Sequence, residues 1–454
     1  MRQELIEIVG EENFTDQLED MVPYSYDASM NFHRPAAAVW PESTEQVSRI
    51  VTFANEHRIP VVPRGAGTSL SGGAVPIQGG IIIDLSRMNR VVEISIENRY
   101  ARVQAGVVCD DLNRALAKHG FTFPPDPASS TVATIGGNVN TNAGGIKGAK
   151  YGTTRDYVLG LQVVLPTGEV MHTGAYTMKC VSGYDLAKLF VGSEGTLGVV
   201  TEVTLKINPI PRHAMTAVAT YARLEDAGKA ISQTMTSGVI PSVMEILDKV
   251  TLKSIKENTD IDLPQAEAMI LTETDGYTWE EVEAQMEVVL GILKQNNPVL
   301  IKTAKDEKDR LSLWKARKSS YATLARTSNS FVLDDVTVPV SRIPDLLVGI
   351  QEISKKYGIT VATYGHAGDG NLHPQILYDE YDLKQAEKVE KVEEEIFHLA
   401  ISLNGTLSGE HGIGLSKANY MTLEHDPVEM AVMRQIKKTL DPNNIMNPGK
   451  RALD

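Results

Sequence analysis

The spacing of apolar residues changes along the chain, and each change predicts a different element. Over residues 43–57 (STEQVSRIVTFANEH), Val47, Ile50, Val51 and Ala54 recur at helical spacing. Ser43 and Gln46 stand where a capping box would start that helix. IPVVP (59–63) and IIIDL (81–85) are short unbroken apolar runs, the pattern of buried strands, with a glycine-rich loop between them. A strand pair near 91–94 and 101–105 leads into a helix near 109–119. Residues 121–157 then lose this periodicity and are dense in Gly, Asn, Pro and Thr. A segment of that length in a compact domain is usually functional. Strands near 160–165 and 198–206 follow, with a helix near 184–190 between them.

The run INPIPR (207–212) interrupts the pattern with two prolines and predicts a domain boundary. Beyond it, strands near 214–220, 267–273, 331–338, 359–363 and 372–377 are interspersed with helices near 223–237, 279–295, 306–325 and 383–401. That texture predicts a separate α+β domain. The expected organisation is residues 1–210, 211–415 and 416–454. The last piece carries one helix after Asp426-Pro427 and is expected to return to the first domain.

A chain of 454 residues suits two or three domains. Its formal charge of -14 argues against nucleic acid or anionic lipid as the main partner, though a small basic pocket for a substrate anion fits within it. The only cysteines, Cys109 and Cys180, are too few for a disulfide framework or an iron–sulfur cluster. The opening MRQELIEIVG carries acids early, and no run reaches the roughly 18 apolar residues of a spanning helix. The expectation is a cytoplasmic protein without direct membrane insertion, peripheral to a membrane only through a partner.

PRGAGTSLSGG (63–73) is the first candidate for chemistry. Closely spaced glycines let backbone N–H groups converge on an anion, and Thr68, Ser69 and Ser71 add hydroxyls. It is not the dinucleotide fingerprint, because Leu70 fills the third glycine place, and no Gly-Lys-Ser/Thr follows as in a P-loop. One such loop reads equally well as a structural turn. PPDPASS (124–130), TIGGNVNTNAGG (134–145), YG (151–152) and GSEGTLGVV (192–200) repeat the composition, which favours close approach to a large ligand. Asn138, Asn140 and Asn142 suit a planar heterocycle, or equally the capping of their own backbone.

The second candidate lies in the other half. YGHAGDGNLHPQ (364–375) sets His366 and His373 around a glycine-rich turn, and SGEHGIG (408–414) adds Glu410 and His411. Two imidazoles and a carboxylate suit a divalent ion, while ten histidines in the chain make ordinary polar roles a standing alternative. Asp369 and Asn371 suit stabilisation of the turn. Arg317, on the 306–325 helix, offers a fork for a carboxylate, or a salt bridge on a charged helix.

Together these motifs resemble the vanillyl-alcohol oxidase/p-cresol methylhydroxylase (VAO/PCMH) superfamily of FAD-linked oxidases. The nearer likeness is to its glycolate oxidase GlcD, D-lactate dehydrogenase and D-2-hydroxyglutarate dehydrogenase branch, and it extends to the closing NPGK (447–450). The resemblance implies an α+β fold: a two-subdomain PCMH-type FAD-binding domain and a C-terminal substrate domain with an antiparallel sheet. It implies that Pro63, Arg64, Gly65, Ala66, Gly67, Thr68, Ser69 and Gly73 hold the FAD pyrophosphate. Thr134, Gly136, Gly137, Asn138, Asn142, Gly144, Gly145, Glu194, Gly195, Gly198, Val199 and Val200 would line the flavin. Pro125, Asp126, Ser130, Tyr151, Gly152 and Asn447 complete the implied FAD set. Some relatives attach FAD through a histidine where this chain has Thr68, so non-covalent FAD is implied. His366, His373 and Glu410 become ligands of one divalent ion (zinc, iron or manganese), His411 the base, and Arg317 the partner of the substrate carboxylate.

Two departures bear on the substrate. D-2-hydroxyglutarate dehydrogenases carry a lysine just before the stretch matching LDDVTVP (333–339), near the place of Leu333, and an asparagine where this chain has Gln375. Both changes favour a short monocarboxylate. D-Lactate, oxidised to pyruvate by hydride transfer to flavin N5, is the leading expectation; glycolate is the alternative and D-2-hydroxyglutarate the third. Electrons would pass to an electron-transferring flavoprotein or an iron–sulfur subunit. A reading of another class is a non-catalytic flavin-binding electron-transfer subunit, against which the His/Glu cluster and Arg317 both speak.

Overall fold

The computed structural model describes residues 1–261 and 263–454. It divides into two compact units, one of residues 1–145, 152–210 and 410–454, the other of residues 146–151 and 211–409.

The first unit contains two larger sheets that form on different patterns, and a two-stranded pairing of Phe121–Thr122 with Asn208–Pro209. A four-stranded sheet has the order Phe14–Thr15, Ala37–Val39, Ile81–Asp84, Val61–Arg64, parallel except at the Phe14–Thr15 edge. Its central isoleucines Ile81, Ile82 and Ile83 are fully buried. Each contributes roughly 1.5–3 kcal/mol relative to exposure. The predicted amphipathic helix is Thr44–His57, and Val47, Ile50, Val51 and Ala54 all enter the core of this sheet. Ser43 caps it by accepting from the Gln46 N–H, but the Gln46 side chain accepts from Glu42 rather than Ser43, so half of the capping box forms. Residues near the C-terminus extend the sheet: the Val61 N–H donates to Ile445 O, and the Asn447 N–H to Val61 O.

The second sheet of this unit is antiparallel, in the order Val91–Ser95, Tyr100–Gln104, Val199–Lys206, Val158–Val164, Val170–Gly174. Its edge strand Val170–Gly174 is the element that periodicity did not reveal, because it buries none of its side chains fully. Nor are residues 121–157 irregular throughout. They hold the short helices Ile135–Thr141, Gly148–Tyr151 and Thr154–Tyr157. Thr134 caps the first of these through the Gly137 N–H, and Asn142 ends it in the left-handed region.

The second unit is built on an eight-stranded antiparallel sheet. Its order is Pro298–Thr303, His213–Tyr221, Ala268–Gly276, Val243–Asp248, Thr360–His366, Asn371–Tyr378, Ser330–Leu333, with Val336–Thr337 also paired to Asn371–Tyr378. Helices Leu224–Met235, Lys249–Asn258, Trp279–Gln295, Glu307–Leu324, Ile343–Tyr357 and Leu383–Ser402 accompany it. The strand expected over 331–338 breaks in two at Asp334 and Asp335, whose carboxylates are buried. The expected α+β architecture is present in full.

Candidate functional site

In the first unit, four of the glycine-bearing segments interlock. The strand Val61–Arg64 runs directly into the loop 65–73. A Cβ on Gly65 would lie 2.2 Å from Thr134 Oγ1, and one on Gly195 2.7 Å from Pro63 Cγ. Gly145, at φ 128°, would meet the Asp126 carbonyl at 2.4 Å. These contacts exist because no side chain stands between the backbones. Gly136 packs on Ala105 and Gly198 on Val163, while Val199 and Val200 are fully buried at the start of a strand. Pro125 O accepts from the Cys109 thiol, and Ser130 O from the Asp110 N–H.

Several side chains expected at the cofactor have partners of their own. The buried Arg64 donates to Pro23 O and Ala74 O and lies over the Tyr24 ring, so it braces the loop. Burial lowers its guanidinium pKa, and the charges of Asp27 and Asp84 oppose that. The Asn142 carbonyl accepts from Thr153 Oγ1 and the Arg155 N–H, and Asn140 bonds Gly136 O and the Gly195 N–H. Tyr151 belongs to the second unit, where its hydroxyl donates to Asp275. Asn138 Nδ2, Ser193 Oγ and Asn447 Oδ1 differ: each is buried without a hydrogen-bond partner among the described residues. A buried orphan costs about 1–3 kcal/mol, so three in the glycine-bearing segments and the closing NPGK suit the polar edge of a heterocycle. The residues present therefore fit FAD.

Glu194 gathers the segment that follows residue 409. Held at φ 54° in the GSEG turn, its buried carboxylate accepts from the Ile413 N–H at 2.9 Å, the Gly414 N–H at 2.7 Å and Arg451 Nη1 at 2.9 Å. Ser71 Oγ donates to His411 O, and the Leu415 N–H to Ser71 O. Glu410 lies beside Gly144, where an added Cβ would sit 3.0 Å from its Oε2. These bonds are why Glu410 and His411 belong to the first unit, earlier in the chain than the expected junction at 415. Asn447 Nδ2 closes the arrangement on Gly73 O and Glu194 O.

Lys450, in the same closing motif, is buried and donates to Val75 O at 2.6 Å. Burial pushes its ammonium down from 10.5 to about 8, against the pull of Glu194 and Asp27. Between those pH values the unfolded chain holds a proton that the folded chain has released. Folding therefore becomes more favourable as pH rises through that window. Relative to Lys450→Met, the parent should gain up to about 3 kcal/mol from pH 8 to 10.5, read as a narrowing or reversal of the difference in denaturation midpoint.

In the second unit, the strands Thr360–His366 and Asn371–Tyr378 form a hairpin around residues 367–370. Cross-strand partners share a face, and the register pairs Glu245 with His366, Tyr364 with His373, and Leu333 with Gln375. Two-residue alternation then puts all six on one face. The rings of His366 and His373 meet edge to face, 5.0 Å apart. Glu245, fully buried, receives His366 Nδ1 at 2.6 Å on one oxygen and Arg317 Nε on the other. The Arg317 guanidinium lies 5.1 Å from the Tyr364 ring. Burial raises the pKa of the Tyr364 hydroxyl, which donates to Gln375 Oε1. Gln375 Nε2 is buried without a partner among the described residues.

Asp335 lies behind His373, 3.7 Å from its Nδ1 and beyond hydrogen-bond distance. It accepts from Ser408 Oγ at 2.7 Å and from Asn371 Nδ2. Asp369 accepts from the Asn371 N–H within the turn, as expected of it, whereas Asn371 also reaches Asp335 and Thr337. Gly409 packs on Thr337 and Asn371, so the chain is pinned one residue before Glu410. Glu245 and Asp335 were missed in the sequence. The available signal was an acid inside an apolar run, in SVMEILD (242–248) and in FVLDDVTV (331–338). Two imidazoles with a carboxylate beside each are a donor set that fits a divalent ion.

Residues 35–174 match the FAD binding domain family, and residues 210–451 match the FAD linked oxidases, C-terminal domain. The class is thus a two-domain FAD-linked oxidase. Glycolate oxidase subunit GlcD of Bacillus subtilis (strain 168) is 44% identical over 452 residues, covering 99% of this chain and 96% of that protein. The mitochondrial D-lactate dehydrogenase [cytochrome] of Arabidopsis thaliana is 36% identical, over 95% of this chain and 78% of its own. The crystal structure of p-cresol methylhydroxylase with substrate bound shares the fold at a TM-score of 0.83 and 20% identity, covering 100% of this chain and 96% of that one. The chain belongs to the VAO/PCMH-type FAD-linked oxidase superfamily, in the branch of GlcD and the D-lactate dehydrogenases. Among the described residues, no helix is long and apolar enough to cross a membrane.

Proposed function

We propose that this chain is the catalytic FAD subunit of an oxidase for a short 2-hydroxy monocarboxylate, with glycolate the first substrate and D-lactate the second. The sequence motifs alone favoured D-lactate. The identity with the Bacillus subtilis GlcD, 44% against 36% for the Arabidopsis thaliana D-lactate dehydrogenase, moves glycolate ahead. The observation that carries the reading is Arg317, reaching from its helix to Glu245 and Tyr364 on the sheet face that bears the His366–His373 pair, with Leu333 opposite Gln375. A leucine there gives a second carboxylate nothing to bind.

When bound, FAD supplies the two-electron acceptor; Thr68, at the position where some relatives carry a histidine, supports non-covalent attachment. His366, His373 and Glu410 are the residues that would hold a divalent ion, zinc, iron or manganese, whose chemistry is to polarise the substrate oxygens. Arg317 spends Nε on Glu245, and its two Nη groups have no other bond among the described residues. They form the fork for the substrate carboxylate. His411 takes the hydroxyl proton as the Cα–H bond breaks. With two cysteines the chain is too poor in thiols for an iron–sulfur cluster, so a partner, a quinone or oxygen takes its electrons; the likeness to GlcD favours a protein partner, an electron-transferring flavoprotein or an iron–sulfur subunit.

Anaerobic mixing of the FAD-loaded chain with glycolate, D-lactate, L-lactate and D-2-hydroxyglutarate tests the reading. Flavin bleaching by glycolate and D-lactate, with D-2-hydroxyglutarate slowest, is expected. Fastest bleaching by D-2-hydroxyglutarate would overturn the monocarboxylate assignment. A flavin that stays oxidised with all four would point to the electron-transfer subunit instead.

A further inference from the structure

We propose that Glu245 is a positioning residue that ties recognition of the substrate carboxylate to the set of the histidine pair. The inference rests on the functional reading above and deepens it. Glu245 sits in the strand Val243–Asp248 between the buried Met244 and Ile246, with no exposed surface of its own. A carboxylate in such a place is costly unless both oxygens are engaged. Here each oxygen serves a different partner: Oε1 takes His366 Nδ1 at 2.6 Å and Oε2 takes Arg317 Nε. One rigid group therefore sets the orientation of two side chains from different elements, the strand Thr360–His366 and the helix Glu307–Leu324.

The chemical consequence differs for the two partners. An ionised carboxylate only accepts, so His366 must carry its proton on Nδ1, and the lone pair then belongs to Nε2. That is the tautomer in which Nε2 can coordinate a cation. Arg317 is held through Nε with its guanidinium carbon 5.1 Å from the centroid of the Tyr364 ring, and these two contacts restrict the direction of the Nη fork. Glu245→Gln separates these effects. Arginine can only donate, so the amide oxygen turns to Arg317 and the amide NH2 faces His366 Nδ1. The histidine then accepts at Nδ1 and moves its proton to Nε2. Glu245→Ala removes both supports.

The test measures zinc affinity by chelator competition, KM and kcat for glycolate, and thermal midpoint, for the FAD-loaded parent and both variants. For Glu245→Gln we expect zinc affinity to fall about 10- to 100-fold with KM within twofold of the parent, and kcat to return at saturating zinc. For Glu245→Ala we expect weak zinc binding together with a KM raised at least about tenfold, which excess zinc does not repair. Parental zinc affinity in Glu245→Gln, at an unchanged midpoint, would overturn the proposal, as would equal changes in zinc affinity and KM in both variants. If Glu245→Ala does not fold, Glu245→Gln alone decides. A parent that binds no zinc and is reduced by none of the acids overturns the functional reading itself; a parent that does both beside unaffected variants overturns only the role of Glu245.

Discussion

Replacing His411 by alanine should yield a folded, FAD-loaded protein whose flavin glycolate reduces about 10²- to 10⁴-fold more slowly than in the parent, the range a positioned general base contributes. The fold should tolerate the change because His411 holds its segment through its backbone: its carbonyl accepts from Ser71 Oγ, and the neighbouring Ile413 and Gly414 N–H groups are held by Glu194. Alanine keeps all three bonds. Flavin absorbance per chain and stopped-flow reduction separate binding from chemistry. Reduction close to the parental rate would remove His411 from the role of base.

Arg317→Met should act on two quantities at once. Loss of the fork should raise KM for glycolate about 10- to 100-fold, the worth of a charge-assisted pair at roughly 1.5–3 kcal/mol. Stability should fall as well, by about 3–5 kcal/mol, because Glu245 stays behind with no exposed surface and one partner fewer. Arg317→Lys restores a positive charge without the planar fork. It should recover part of the thermal midpoint while KM remains high. Recovery of KM along with the midpoint would mean that charge alone, not fork geometry, binds the carboxylate.

How much of this was legible in the sequence depends on where each side chain points. Thr44–His57 and Ile81–Asp84 were readable because one face, or every side chain, is buried, and the pattern records it. Val243–Asp248 was not, because Glu245 and Asp248 interrupt an apolar strand: Glu245 is satisfied by partners far along the chain, and Asp248 caps the helix that follows through the Thr251 N–H. The exposed edge strands Val170–Gly174 and Pro298–Thr303 leave too weak an apolar signal to read. Motif composition marked the glycine loops and the histidines. It could not tell Asn138, whose amide nitrogen lacks a partner among the described residues, from Asn140 and Asn142, whose amides cap the backbone. That distinction depends on three-dimensional neighbours such as the Gly195 N–H. The same holds for Glu194: its turn was conspicuous, but its bonds to Ile413 and Gly414 join residues over 200 positions apart.

Those bonds set the order in which a ribosome can finish the molecule. The first unit takes residues 410–454 as well as its N-terminal segments. Until the last stretch emerges, Glu194 has neither the Ile413 nor the Gly414 N–H, and the Val61 N–H lacks the Ile445 carbonyl. The second unit, by contrast, has all its residues once Gly409 is made. The domain begun first is therefore completed last, against the usual N-to-C sequence of domain folding. A fragment cut at the proline-rich junction near 210 would carry the glycine loops without the strand and backbone amides that close them. A stand-alone flavin domain would have to be built by joining residues 1–210 to 410–454.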